Sequence, residues 1–512
     1  MEMRLRAGFK PRLLEKISRL KYEYMENEKI RDKISRVALN AEGRVREAYG
    51  VLLLLLELGL KVAGILAILF LQIWWLAFVL LAVSIPCFYT AMKSGKENYE
   101  VQADVTKVKR LNEYYNEMLK RREYAEERTL FGYGQEYEER FLSQYEKARR
   151  YTTRARMKWF VRMKAGSMAV IAISAIFLAV TMPLVLNGRL RLGMFMALTG
   201  AVFGIVQNMS WDLTYSFDRA AWYNEYFQEL EEIFGLEEER GGMEGERGIE
   251  GGKKIGTFQS LEFREVSFRY PGTERYILKN LSFRIEAGKK YAFVGANGAG
   301  KTTMIKLLNG LYQGYEGKIL VNGEDIRRFD RDFLSNVFQD FARYPVSIRE
   351  NMVVGRKERV SDAELAEIVE KVGLGSTIAK QREGVDTVLG KVKEDSQDLS
   401  GGEWQKIALA RCALSKAPVR ILDEPTSAMD PIYENELYLR FQQLSQGKTV
   451  LLISHRLASV KAADFIYVIE DGTVVQAGSH SWLMEEGGLY KQMYTKQAKW
   501  YEEKGDGAVY EA

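Results

Sequence analysis

The chain has 512 residues, 47% of them hydrophobic, and a formal net charge of +5. This length is enough for about two to four domains. The only cysteines, Cys87 and Cys412, lie in unrelated segments and the only histidines are His455 and His480, which excludes a disulfide framework and a histidine-rich metal site. The mild positive charge suits basic cytoplasmic loops of a membrane protein as well as it suits a nucleic-acid binder.

Residues 1–46 are rich in Lys, Arg and Glu, with Leu13, Leu14, Ile17, Leu20 and Tyr24 at helical spacing, the pattern of a packing face. No apolar core follows the first basic residues, so no cleavable signal peptide is expected. Apolar runs at 51–71 and 73–92 each approach the length of about 20 residues that crosses a bilayer, and they read as a transmembrane hairpin. Glu57 and Lys61 stand four apart in the first run and share a helix face. They are either part of a substrate path or a mutually neutralised pair near the inner interface.

Residues 93–158 are charged and poor in glycine and proline, and read as helices projecting into the cytosol, with a turn at Thr129 to Gly132. Further apolar runs at 160–186 and 190–213 flank a turn at Asn187-Gly188-Arg189. Gln207, Asn208 and Asp212 sit near the inner end of the last run, where they line a path or satisfy a neighbouring helix. Lys and Arg crowd 1–48 and 93–164, whereas the opposite turns carry only Arg189 and Arg191. The positive-inside rule therefore places both termini in the cytoplasm of a multi-pass protein of the cytoplasmic membrane. The division expected is a helical membrane domain over 1–239, a glycine-rich charged linker over 240–256, an α/β domain over 257–495 and a polar, frayed tail over 496–512.

Gly295-Ala296-Asn297-Gly298-Ala299-Gly300-Lys301-Thr302 fits the phosphate-loop pattern, and Thr303 follows it. The apolar strand Tyr291 to Val294 precedes it and a helical pattern follows. Glycines let successive N–H groups turn inward towards phosphate oxygens, and the helix N-terminus adds partial positive charge. Lys301 would reach the β- and γ-phosphates and the Thr302 hydroxyl would hold Mg²⁺. A second apolar strand, Arg420-Ile421-Leu422, ends in Asp423 and Glu424, a carboxylate to meet Mg²⁺ and one to activate water. Arg420 is expected at the strand entrance with its guanidinium in water. Leu399 to Gln405 forms a second glycine turn opening a helix. Gln339 follows the strand-like Val337-Phe338, and His455 follows the strand Leu451 to Ile453.

In this order, GANGAGKTT, Gln339, LSGGEWQ, ILDEPTSAMD and Ile453-Ser454-His455 resemble the Walker A, Q-loop, signature, Walker B with D-loop, and H-loop motifs of the ATP-binding cassette (ABC) ATPases. The resemblance covers 257–495, and the membrane half is similar in plan to exporter-type half-transporters. It implies a fold with an α-helical transmembrane domain of four visible spans followed by an α/β P-loop ATPase domain. It also implies ATP hydrolysis coupled to transport, with Tyr270 stacking on adenine and Gln339 sensing Mg²⁺ at the membrane domain. Glu424 and His455 would act at the γ-phosphate. Ser400, Gly401, Gly402 and Glu403 would cover the ATP of a second half-transporter, identical or not, with Asp430 at the dimer seam. Thr302, Gln339 and Asp423 would surround Mg²⁺. Segments near Met25 to Arg31 and Leu130 to Tyr133 resemble coupling helices.

Glu403 replaces the commoner Gln of the signature with little expected effect. The partners implied are the bilayer, the second half and an unidentified substrate (peptide, lipid or drug-like), not nucleic acid. Family members usually have six spans. The absence of the first hairpin leaves three readings: a shortened start, a piece supplied by another chain, or a non-transporting sensor or regulatory protein. A soluble DNA-repair type is excluded by the apolar runs.

Overall fold

The computed structural model describes residues 2–72, 74, 78, 111–188, 190–208, 214–239, 253–356, 358–390, 398–423, 431–454 and 460–506. The chain divides into one unit of Met1–Leu20 with Tyr24–Glu238 and a second of Lys21–Glu23 with Glu239–Ala512.

The first unit is helical. Its elements are α1 (Glu2–Ser18), the part of α2 (Tyr22–Glu26) from Tyr24 onwards, α3 (Glu28–Ala38), α4 (Ala41–Gln72), α5 (Ala125–Phe131), α6 (Gly134–Leu186), α7 (Leu192–Asn208) and α8 (Thr214–Gly235). The N-terminal stripe packs much as its spacing predicts. Leu13 and Leu20 are buried with Ile34, Val37 and Ala41 against Tyr226, Leu230 and Ile233 of α8, while Leu14 faces out. Polar ties hold the same seam: Tyr226 donates to the Val37 carbonyl at 3.1 Å, Tyr223 to Glu47 Oε2 at 2.6 Å, and Lys16 to the Leu236 carbonyl at 2.8 Å.

Among the described residues one helix, Ala41–Ile68, is long and apolar enough to cross a membrane. Shorter apolar stretches are Ala175–Leu186 and Leu192–Gly204. The run 73–92, apart from positions 74 and 78, and Asp212 lie outside the described residues. The latter part of the charged extension and the third apolar run form one helix, α6, of 53 residues. At 1.5 Å per residue it is about 80 Å long, far more than a bilayer needs. It opens just after Gly132, whose φ of 64° ends α5 in the left-handed conformation, at the turn expected from the sequence. At the other segment likened to a coupling helix, Asn27 caps α3 by accepting from the Lys29 and Ile30 amides.

The second unit carries two sheets. Strands β1 (Ser260–Phe268), β2 (Leu278–Glu286), β4 (Glu316–Val321) and β5 (Glu324–Asp325) form an antiparallel sheet in the order β2-β1-β4-β5. Strands β3 (Lys290–Val294), β6 (Leu334–Val337), β7 (Val419–Asp423), β8 (Thr449–Ile453), β9 (Phe465–Glu470) and β10 (Thr473–Gly478) form the other, in the order β10-β9-β3-β8-β7-β6. All its pairings are parallel except β10 with β9. β7 and β8 are buried at every position, and β3 at all but its first, as expected of strands covered on both faces.

The helices of this unit are α9 (Lys301–Leu308), α10 (Ile348–Val353), α11 (Asp362–Val372), α12 (Gly375–Ala379), α13 (Gly401–Leu414), α14 (Pro431–Leu444), α15 (His480–Glu486) and α16 (Leu489–Asp506). α16 runs to Asp506, which corrects the expectation of fraying after Thr495.

Candidate functional site

The register of the parallel strands builds the site. One row crosses the sheet through Ala292, Leu452, Leu422 and Val337, and the next passes through Phe293, Ile453 and Asp423. Immediately beyond these rows β3 leads into the phosphate loop and β6 into Phe338-Gln339, while β7 ends at Asp423 and β8 leads into Ser454. Strands in a sheet lie about 4.8 Å apart, so these strand ends share one edge. That is the carboxyl edge, where open α/β sheets bind ligands.

The loop after β3 has the conformation its glycines permit. Gly298 and Gly300 have φ of 82° and 103°. A Cβ on Gly295 would stand 2.1 Å from the Ile469 carbonyl oxygen, and one on Gly300 would stand 2.6 Å from Leu278 Cδ2. Ala296, Asn297 and Gly298 are exposed, whereas Ala299 and Gly300 are buried. Lys301 is 5% exposed and donates from Nζ to the carbonyls of Gly295 at 2.8 Å and Ala296 at 3.1 Å. Its ammonium therefore lies within the loop's own curve. The Thr302 hydroxyl residue is exposed and Thr303 is buried.

Tyr270 shares a 2.9 Å hydrogen bond between its hydroxyl and Thr303 Oγ1, and its ring meets Tyr312 edge-on at 5.3 Å. Lys306 Nζ lies 5.5 Å from the Tyr270 ring centroid. Beside it opens a cavity of about 440 Å³ whose lining includes Arg269, Tyr270, Pro271, Thr273 and Tyr312. The aromatic singled out from the sequence thus stands against the helix that carries the phosphate loop.

Asp423 is 3% exposed at the end of β7, and Gln339 is exposed. Glu424, Asp430 and His455 lie outside the described residues. Among the described residues no group of three or more His, Cys, Asp or Glu gathers as a metal site. Thr302, Gln339 and Asp423 offer hard oxygen donors, which fits a Mg²⁺ held by few side chains and mostly by substrate phosphates.

Ser400 caps α13 in a reciprocal capping box with Glu403. The Glu403 carboxylate accepts from the Ser400 amide at 2.9 Å, the Ser400 hydroxyl at 2.8 Å and the Thr377 hydroxyl at 2.8 Å. Burial raises the Glu403 pKa, but the hydrogen bonds from Ser400 and Thr377 outweigh it and leave the carboxyl below its ordinary value. A Gln at this third helical position makes the same kind of capping-box contact, and Glu403 makes it as a carboxylate. Ser400 and Gly401 are exposed, with Gly402 half-buried. Trp404 is buried and donates to Asp398 Oδ1 at 2.9 Å. His480 pairs with the Tyr490 hydroxyl at 2.8 Å, away from this edge.

Arg420 departs from expectation. It is 5% exposed rather than in water. Its guanidinium donates to the carbonyls of Leu444, Ala413 (3.0 Å) and Ser415 (3.4 Å) and to Ser445 Oγ (3.4 Å). Those carbonyls close α13 and α14, where backbone acceptors lack intrahelical partners and carry partial negative charge. Burial lowers the Arg420 pKa, yet a guanidinium remains charged. Sequence spacing could not reveal this, because Leu444 and Ser445 stand 24 and 25 residues away and only the fold brings them to the Ala413 and Ser415 carbonyls.

Glu57 and Lys61 form the ion pair expected from their spacing, at 2.6 Å, both about half exposed on α4.

The nucleotide loop and the carboxylate strand on one sheet edge, with the capped second glycine turn of the same unit, define an ATPase of the ABC class. The "ABC transporter" family model matches residues 278–427. The subtilin transport ATP-binding protein of Bacillus subtilis is 30% identical over 514 residues, covering 96% of this chain and 80% of that protein. The ATP-dependent lipid A-core flippase of Pectobacterium atrosepticum is 29% identical over 483 residues, covering 91% and 78%. A bacterial Atm1-family ABC exporter solved with ATP bound aligns with a TM-score of 0.78 and 22% identity, over 97% of this chain and 86% of that one, a likeness of fold. The chain belongs to the ABC transporters and is an exporter-type half-transporter, membrane-embedded with a cytoplasmic ATPase domain, in which ATP hydrolysis drives substrate export.

Proposed function

We propose that two such half-transporters, identical or not, pair in the cytoplasmic membrane and close around ATP to move an amphiphilic substrate outwards. The observation that carries this is the shared row Phe293–Ile453–Asp423, which brings the exits of three motif strands to one edge. In this reading 1–239 is the membrane part with both termini cytoplasmic, 240–256 the linker, 257–495 the ATPase and 496–512 the tail.

Residues 295–303 cradle the phosphates, with Lys301 moving from the loop carbonyls to the β- and γ-phosphates, and Tyr270 stacks on adenine. Thr302, Gln339 and Asp423 would hold Mg²⁺, which neutralises charge on the β- and γ-phosphate oxygens. Glu424 orients and deprotonates the attacking water, and His455 contacts the γ-phosphate. Ser400, Gly401, Gly402 and Glu403 close over the partner's ATP, with Asp430 at the seam. Closure then favours one orientation of the helices over the other, and hydrolysis resets them.

Relatives named for subtilin and for lipid A core support a substrate that is apolar over part of its surface and polar or charged elsewhere. The test is uptake by inside-out vesicles of labelled amphiphilic peptides and lipids. ATP-dependent, vanadate-sensitive accumulation of either supports the reading. Hydrolysis that no amphiphile stimulates and no accumulation accompanies contradicts it.

A further inference from the structure

Arg420 stands on β7 three residues before Asp423, about 10 Å along the strand. Its side chain grips the far ends of α13 and α14. Each of these helices has 14 residues, about 21 Å. α13 begins at the cap Ser400, and α14 begins directly after Asp430. One cation thus joins three elements at the end opposite their chemistry: the carboxylate strand, the signature helix and the helix after the D-loop.

An apolar side chain would fill this place in a strand buried throughout, and it would not have to give up hydration. Among the described residues no carboxylate acts on Arg420, and its Nε–H has no hydrogen-bond partner. The group is therefore held by helix ends alone. A rigid helix tied at its C-terminus has its N-terminus placed by that tie.

We infer that Arg420 is a positioning residue that makes β7, α13 and α14 one body, so that the strand serving the chain's own ATP and the signature serving the partner's ATP keep a fixed relation. The inference rests on the proposed roles of Ser400 to Glu403 and Asp430. Binding of ATP to the phosphate loop alone does not require the tie. Closure and hydrolysis do.

The test uses full-length protein in detergent, with Arg420→Met and Arg420→Lys compared with wild type well below each variant's unfolding midpoint. Arg420→Met removes the cation, whereas Arg420→Lys keeps a charge that cannot fork between two helix ends. The expected result is a Kd for a fluorescent ATP analogue and a KM for ATP within about twofold of wild type, with kcat per folded molecule down about tenfold or more. Arg420→Lys should recover part of the loss. Should Arg420→Met not fold, the Arg420→Lys split decides. Wild-type kcat in a folded variant overturns the inference, as does a loss of kcat accounted for by unfolded protein or by a raised KM. If wild-type protein itself shows no ATP-dependent pairing or hydrolysis, the dimer reading fails first.

Discussion

Lys301→Ala separates a nucleotide ligand from a structural lysine. In the structure the ammonium is nine-tenths buried and donates to two loop carbonyls, those of Gly295 and Ala296. ATP would replace these with phosphate oxygens, and hydrogen bonds to charged groups contribute about 1.5–3 kcal/mol each. Losing one such contact weakens ATP binding by about 10- to 150-fold. The cost to the nucleotide-free protein is smaller, about 1 kcal/mol or less, because water entering the space can satisfy carbonyls beside the exposed Ala296. Equilibrium titration with a fluorescent ATP analogue reads the first quantity, and thermal unfolding without nucleotide reads the second. The upward shift of the unfolding midpoint at a fixed ATP concentration should also shrink, since it follows the ratio of ligand to Kd. An ATP affinity within twofold of wild type would falsify the phosphate-binding role. A collapse of the nucleotide-free fold by several kcal/mol would show that the lysine serves the loop.

Other substitutions probe the phosphate loop, the Tyr270 ring and the capped turn. Gly295→Ala drives a Cβ into the Ile469 carbonyl oxygen, 2.1 Å away in backbone that cannot swing aside, so thermal unfolding should show a loss of about 1–3 kcal/mol or more. A wild-type midpoint would mean the loop is looser than it looks. Tyr270→Ala should raise the Kd for ATP about tenfold, by the usual worth of aromatic–base stacking, while Tyr270→Phe, which loses only the bond to Thr303, should stay within about threefold. Equal effects of the two would assign the hydroxyl, not the ring, the main role. Glu403 has a depressed carboxyl pKa, set by burial opposing the stronger hydrogen bonds from Ser400 and Thr377. Its contribution to stability is present above the ordinary carboxylate range and is lost as pH falls through the lowered value. Glu403→Ala should therefore cost about 1 kcal/mol at neutral pH and progressively less in acid, as read by denaturant titration across pH. A pH-independent difference would refute the charged cap.

How much was legible in the sequence follows the range over which each feature is encoded. The phosphate loop, the strand β7 and the helix opening after Ser400 each fit within one short window, and the chain forms the turn, strand and helix expected there. Leu281, Phe283 and Ile285 alternate with exposed residues and, with Leu278, form the buried face of β2, an equally local signal of a kind that continuous apolar runs do not contain. Thr377, the other donor to Glu403, and the Leu444 and Ser445 acceptors of Arg420 come from distant segments, so only the folded chain brings them together. A charge inside an otherwise apolar strand was nevertheless a visible signal. Its meaning was a buried staple, not a strand entrance. The roles of Glu424, Asp430 and His455 rest on motif order and on the strand ends that precede them.

The most direct test traps the proposed motor before hydrolysis. Glu424→Gln protein, solubilised in detergent and incubated with ATP and Mg²⁺, should retain uncleaved ATP, elute as a dimer and hydrolyse about a hundredfold or more slowly than wild type. Hydrolysis at the wild-type rate, or ATP retained by a protein that stays monomeric, would contradict the account.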